Sequence, residues 1–365
     1  MRSIALLFIL FLPILPAAPP GSVPIIHTTD LYDPPIDPDD HVDLLTLFAL
    51  REYDIKAVIL DMWDKPLAGT LKAGDPRRDP GFTPVTQLAY LTGRAIPVAV
   101  GPYQPLKSPQ DAAADRPSRE QAGVNLLLRA LRDSPIPVVI SVLGSSRLVT
   151  AAFNRDPQLL KEKVKTVLLN AGTSTKSGNE YNVRMDPSAY VGLLRSGLPV
   201  DWFPCWTEPA GGGERDTFWR ISHQDLFRKV SPALVRWFTV SLIGTAGLTG
   251  YQSLYEQTPS GVNGAVMAGT RSLWSTASLV MAAGRKLAKT SQGWRFVPAD
   301  AAAGLPQEKL ELEPINIEVD DLGAGTWSPA PQGSHIRLFH RNAGPDHVAA
   351  MTEALNALLR ELKVE

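Results

Sequence analysis

Six aspartates fall within fourteen positions of this 365-residue chain: Asp30, Asp33, Asp37, Asp39, Asp40 and Asp43, in "HTTDLYDPPIDPDDHVDLLTLFAL". Carboxylates this close can hold a hard cation, act as a general base, or stabilise a developing positive charge. Pro34, Pro35 and Pro38 stiffen the run and remove backbone donors. One aspartate has an ordinary explanation, because an acid at the start of the following helix favours its positive end. For the others the residues leave two readings open. One is a divalent ion such as Ca²⁺, with about six to eight oxygen ligands. The other is a solvated acidic loop. His41, next to the paired aspartates, is a candidate ligand or acid–base group, or a helix residue that closes the loop by a hydrogen bond.

The remaining reactive side chains are sparser. Cys205 is the sole cysteine, at the end of an apolar run with no evident base beside it, and reads as a small buried hydrophobe. His27 lies inside a strand-like segment and reads as packed. His335, His340 and His347 lack metal-site spacing and read as structural or surface residues. "EPAGGGER" lacks the Lys-Ser/Thr of a phosphate loop. Trp274 suits stacking on a nucleobase or sugar, or simple core packing, and Arg271 suits pairing with the acidic run or a solvated surface.

The elements that must position these groups alternate. "VPIIHTT", "IKAVILDMW", "IPVAVG", "IPVVISVLG", "KTVLLNAG" and "LPVDWFPCW" are short, nearly continuous apolar strands, and helix-like segments separate them. That alternation predicts an α/β fold with a mainly parallel open sheet flanked by helices. The C-terminal third reads as more helical, with helices in "HQDLFRKVSPALVRWFTVSLIG" and "TRSLWSTASLVMAAGRKLAK". A loop-rich stretch is expected over 290–331, then a strand in "GSHIRLFHRN" and a closing helix. Ligands of such sheets bind beyond the carboxyl ends of the strands, where Asp30 falls.

Charge and leader narrow the class. The net charge of -1 gives no footprint for nucleic acid or an anionic membrane. "MRSIALLFILFLPILPAAPPGS" has Arg2, an apolar core from Ile4 to Leu15 and small residues at Ala17 and Ala18. This is the pattern of a secretory signal peptide over 1–18, and it predicts a secreted or periplasmic protein with no membrane span after cleavage. A single domain over 23–365 follows.

The stretch "IIHTTDLYDPPIDPDDHVDLLTLFAL" resembles the N-terminal signature of the inosine/uridine-preferring nucleoside hydrolase family, a strand ending in aspartate followed by paired aspartates that open a helix. The family spacing Asp-x-Asp-x-x-x-Asp-Asp is altered here: Thr28 replaces the first acid, and Asp39-Asp40 follow Asp30 only after an insertion. "VKTVLLNAG" resembles the family's strand ending in a Gly pair. "GNEYNVRMDPSAYVGLLRSGLPV" resembles its Gly-Asn…Glu-Phe-Asn…Asp-Pro segment, and "VISVLGSSRLVTAAFNRDPQLLKEKVK" its preceding strand–helix unit. The likeness is good over 23–206 and loose beyond.

The resemblance implies a nucleoside-hydrolase-like fold and hydrolysis of a ribosyl N-glycosidic bond with Ca²⁺ at the bottom of the pocket. Asp30 would be metal ligand and general base, Asp40 a metal ligand, and the Asn170 carbonyl part of the shell. Asp39, Asn179, Glu180 and Asn182 would bind ribose. Asp33 and Asp37 belong to the insertion, and either would be able to replace Asp30 if that loop folds inward. Asp186-Pro187 reads as a helix start. The family's late His-Asp pair is missing; "TRSLWSTASLVMAAG" offers Arg271, Trp274 and Ser275 instead. The substrate expected is a nucleoside or related ribosyl compound, and a homo-oligomer is compatible with the family. The rival readings are a non-catalytic nucleoside- or sugar-binding protein on the same fold, and a hydrolase of a different glycoside.

Overall fold

The computed structural model describes residues 21–32, 38–61, 81–175, 180–205, 213–243, 260–342 and 345–364. The leader over 1–18, Asp33, Asp37, Asn179 and most of the 65–84 loop lie outside them. Strands β1 (Val23–Thr29), β2 (Tyr53–Leu60), β3 (Val98–Val100), β4 (Val138–Leu143), β5 (Val164–Asn170) and β6 (Val200–Phe203) form a parallel array. A short antiparallel pair follows, β7 (Trp219–Ser222) with β8 (Thr270–Leu273). Then come β9 (Arg285–Thr290), β10 (Gly293–Pro298), β11 (Gln307–Glu308), β12 (Leu310–Val319), β13 (Gly325–Pro329) and β14 (Ile336–Arg341). The main sheet runs β13-β12-β14-β6-β5-β4-β1-β2-β3, with β14 parallel to β6 and β12 and β13 antiparallel at one edge. The mainly parallel α/β reading is borne out.

The central strands are apolar on both faces because helices cover both. On one face lie α1 (Asp39–Ala49), α2 (Phe82–Leu91) and much of the C-terminal half. On the other lie α3 (Ser118–Asp133), α4 (Arg147–Arg155), α5 (Pro157–Lys163), α6 (Tyr181–Met185) and α7 (Pro187–Leu194). The chain continues through α8 (His223–Leu226), α9 (Pro232–Ile243), α10 (Ser260–Met267), α11 (Thr276–Ala282) and α12 (Pro345–Glu361). Ten of the eleven residues of α1 are buried. The reason is its setting, since α11, α12 and β8 all pack against it. The acidic run therefore opens onto a helix enclosed on every side.

The expected helical excess in the C-terminal third is corrected. Beyond Gly269 strands dominate: 270–289, read as one helix, is β8, α11 and β9, and 290–331, read as loop, holds β10 to β13. Exposure in β12 falls mainly on alternate residues, the period of a strand with one wet face. Pro298, Pro314 and Pro329 hide that period in the sequence, yet they lie in or at the ends of antiparallel strands. The segment read as one helix over 223–244 divides into α8 and α9, where Lys229 adopts a left-handed φ of 61° and Pro232 restarts the helix.

Candidate functional site

The residues just beyond the parallel strands form a row at the carboxyl edge: Asp61 after β2, Asp30 after β1, Gly144 after β4, Ala171 after β5 and Pro204 after β6. Asp30 is 7% exposed and Asp40, at the start of α1, is 6% exposed. Gly144 has φ 90°, and a Cβ there would stand 2.7 Å from Asp30 Cγ. A side chain at Gly144 would thus displace the Asp30 carboxylate, so glycine is needed for both the turn and the close approach.

Cys205 shows how the acids converge. Its thiol is pushed well above the usual range by burial first, then by the charges of Glu180, Asp39, Asp30 and Asp40. Acids from three separate segments therefore all act electrostatically on this one thiol at the sheet edge. The thiol stays protonated there, which bears out the reading of Cys205 as a buried apolar residue. Tyr190 on α7 is also pushed upward, by burial and then by Glu180 and Cys205.

Glu180 has a structural duty. It precedes α6 and accepts from the backbone N–H groups of Asn182 at 3.0 Å, Val183 at 3.1 Å and Gly172 at 2.8 Å. Burial raises its pKa above the ordinary carboxylate value, and those three donors oppose the shift. Asn182 donates from Nδ2 to the Asn170 carbonyl at 3.1 Å. Asn170 is 1% exposed, its own Nδ2 donates to the Val142 and Leu168 carbonyls, and its Oδ1 has no donor among the described residues. A buried acceptor without a donor is costly unless a ligand or water supplies one.

On the other side stand Arg271 and Trp274. Arg271 Nη2 lies 3.7 Å from Asp39 Oδ1, and its guanidinium sits 5.0 Å from the centre of the Trp274 ring. Trp274 is half-buried and donates from Nε1 to the Cys205 carbonyl at 2.8 Å. Its ring also meets Phe218 at 5.9 Å. His41 points elsewhere: it is fully buried, between Tyr32 and Trp237 at ring separations of 5.3 and 5.7 Å.

Two groups at this edge escaped the sequence reading. Asp61 accepts from the Ser145 N–H at 2.6 Å and lies 3.7 Å from Arg147, which is wholly buried. Arg147 also bonds Asp186 at 3.1 Å and the carbonyls of Pro102 and Tyr103. Asp186 caps α7 through Ala189 N–H and takes Leu106 N–H as well, so the helix-start reading of Asp186-Pro187 holds. Burial raises the pKa values of Asp61 and Asp186 above the ordinary carboxylate range, and Arg147 opposes both shifts. Asp61's place at a strand end was the available signal, and an acid there suits the carboxyl-edge rule.

The donor set for calcium is incomplete among the described residues. No three His, Cys, Asp or Glu side chains gather there closely enough to hold a metal ion. Asn170 ends a strand two places from β1, about 10 Å across the sheet at ordinary strand spacing. Its carbonyl is engaged by Asn182, and Asp39 faces a guanidinium.

No known family profile matches the chain. Its sequence is similar to the pyrimidine-specific ribonucleoside hydrolase RihA of Citrobacter koseri, 28% identical over 192 residues, 47% of this chain and 57% of that protein. The protein of the same name from Salmonella arizonae is 27% identical over 184 residues, 44% and 55% of the two chains. The chain thus spans about half the length of the curated relatives it matches. In structure it is similar to a purine-preferring ribonucleoside hydrolase from Gardnerella vaginalis, with TM-score 0.56 and 14% identity over 92% of this chain and 99% of that one. It is also similar to a plant nucleoside hydrolase, with TM-score 0.53 and 15% identity over 94% and 99%. The fold is that of the nucleoside hydrolases, and the resemblance read from the sequence is borne out: the chain is divergent and nucleoside hydrolase-like.

Proposed function

We propose that the protein hydrolyses the N-glycosidic bond of a ribonucleoside or a related ribosyl compound. The observation that carries this reading is the burial of two carboxylates at the carboxyl edge of a parallel sheet, Asp30 just after β1 and Asp40 at the start of α1. The similarity to ribonucleoside hydrolases supports it. Cleavage of a glycosidic bond passes through an oxocarbenium-like state, and a pocket of fixed carboxylates favours that positive charge. Asp30 takes a proton from water as the water oxygen bonds to the anomeric carbon. The carbon–nitrogen bond breaks, its electron pair leaves with the base, the base nitrogen takes a proton from solvent, and Asp30 returns its own proton to solvent. Asp39 and the Asn170 Oδ1 accept from sugar hydroxyls, and Asn182 completes the wall beside Glu180. The leading run from Ile4 to Leu15 supports export of the mature protein, checked by the N-terminal sequence of protein recovered outside the cytoplasm.

A non-catalytic ribosyl-binding protein is the second reading. It is favoured by the commitment of Glu180 to three backbone donors and of Asp39 to Arg271. Free ribose and thermal midpoint, measured side by side over a panel of nucleosides, separate the two. Hydrolysis predicts ribose release from at least one nucleoside. Stabilisation by a nucleoside without any released ribose would establish the binder instead.

A further inference from the structure

We infer that the guanidinium of Arg271 is the standing cation of the carboxylate pocket and takes the place of the calcium that the family resemblance implies. The ligand readout below rests on the proposed function; the metal readout does not. Arg271 is held by three independent contacts. It lies 3.7 Å from Asp39, it packs over Trp274, and it sits on β8 opposite Ile221 of β7. Trp274 is itself pinned to the Cys205 carbonyl, and β8 packs against α1, which carries Asp39 and Asp40. The charge is thereby anchored beside the point where Glu180, Asp39, Asp30 and Asp40 are all felt.

The chemistry of arginine suits that place. Its guanidinium keeps its proton at any ordinary pH, and its planar fork serves carboxylates and neighbouring hydroxyl oxygens together. A divalent ion approaching Asp39 would meet this fixed positive charge within the same few ångströms, and like charges there oppose binding. Among the described residues no group of three acidic, histidine or cysteine side chains offsets that opposition. A guanidinium gives no Lewis acidity to bound water, so removal of the water proton falls to a carboxylate alone.

The test starts with the full mature chain, stripped with a chelator and dialysed against calcium, with the bound metal counted by elemental analysis. Wild type is expected to retain far less than one calcium per chain. One calcium per wild-type chain would overturn the inference. Arg271→Met, which keeps the stem and removes the charge, is expected to gain a calcium-dependent rise in thermal midpoint that wild type lacks. A folded Arg271→Met chain with no such gain counts against the guanidinium as the substitute cation. If that variant does not fold, the wild-type stoichiometry decides alone. Nucleoside-induced stabilisation of wild type is expected to persist in the chelator, and its appearance only with calcium would also overturn the inference. Failure of every nucleoside to bind or react, with or without calcium, strikes the proposed function and leaves the metal count standing.

Discussion

At the scale of single residues, a buried histidine and a buried glutamate give opposite electrostatic expectations. His27 is wholly enclosed in β1, neither ring nitrogen has a partner among the described residues, and burial holds its pKa down to about 3. The folded state therefore requires the neutral ring. Its contribution is intact above the unfolded value near pH 6.5 and is lost as pH falls toward about 3, at roughly 1.4 kcal/mol per pH unit. Urea unfolding across that range should show the slope, and His27→Leu should flatten it with no loss of stability at neutral pH; an unchanged slope would refute the assignment. Glu180 has its pKa raised, so its ionised form is penalised as pH rises through the carboxylate range, and its three backbone bonds offset that penalty. Glu180→Ala should cost about 1–2 kcal/mol through the lost helix cap, measured by denaturant unfolding. Unchanged stability would show that Glu180 is not a cap. Its capping role was hidden in the sequence, because "NEYN" reads equally as a ribose-binding motif and as a helix start.

At the scale of elements, Arg147 ties the edge of the sheet together. One buried guanidinium reaches Asp61 after β2, Asp186 before α7, and the carbonyls after β3. Ser145, bonded to Asp61, fixes the turn whose Gly144 touches Asp30. Removing the cation leaves two buried carboxylates uncompensated, so Arg147→Met should destabilise the chain by about 3–5 kcal/mol. A loss below about 1 kcal/mol in denaturant unfolding would mean the triad is not structural. The parallel strands were legible because burial on both faces writes them as unbroken apolar runs, from "VPIIHTT" to "LPVDWF". The β9 to β13 region was not, because its antiparallel strands are half-exposed and interrupted by Pro298, Pro314 and Pro329. Asp30, Asp39 and Asp40 stood out in the sequence by their place at a strand end and a helix start, and Asp30 and Asp40 are buried there. The Arg271–Asp39 pair was not singled out over a solvated surface, since it joins residues 232 positions apart and Arg271 sits on β8, in a segment that the sequence reads as helix.

At the scale of the molecule, the fold of the ribonucleoside hydrolases is kept over nearly the whole chain, while sequence likeness spans about half of it. The likeness read from the sequence is good in the segments with Asp30, Glu180 and Asn182 and loose in the one with Arg271 and Trp274, where the family's late acid is missing. The central claim is that Asp30 activates water against the glycosidic bond. It is tested most directly by ribose release from the best nucleoside of the panel, comparing wild type with Asp30→Asn at equal folded concentration. The expected result is measurable turnover by wild type and a fall of about a hundred- to ten-thousand-fold in the variant, with nucleoside binding retained. Equal turnover by the two proteins would contradict it.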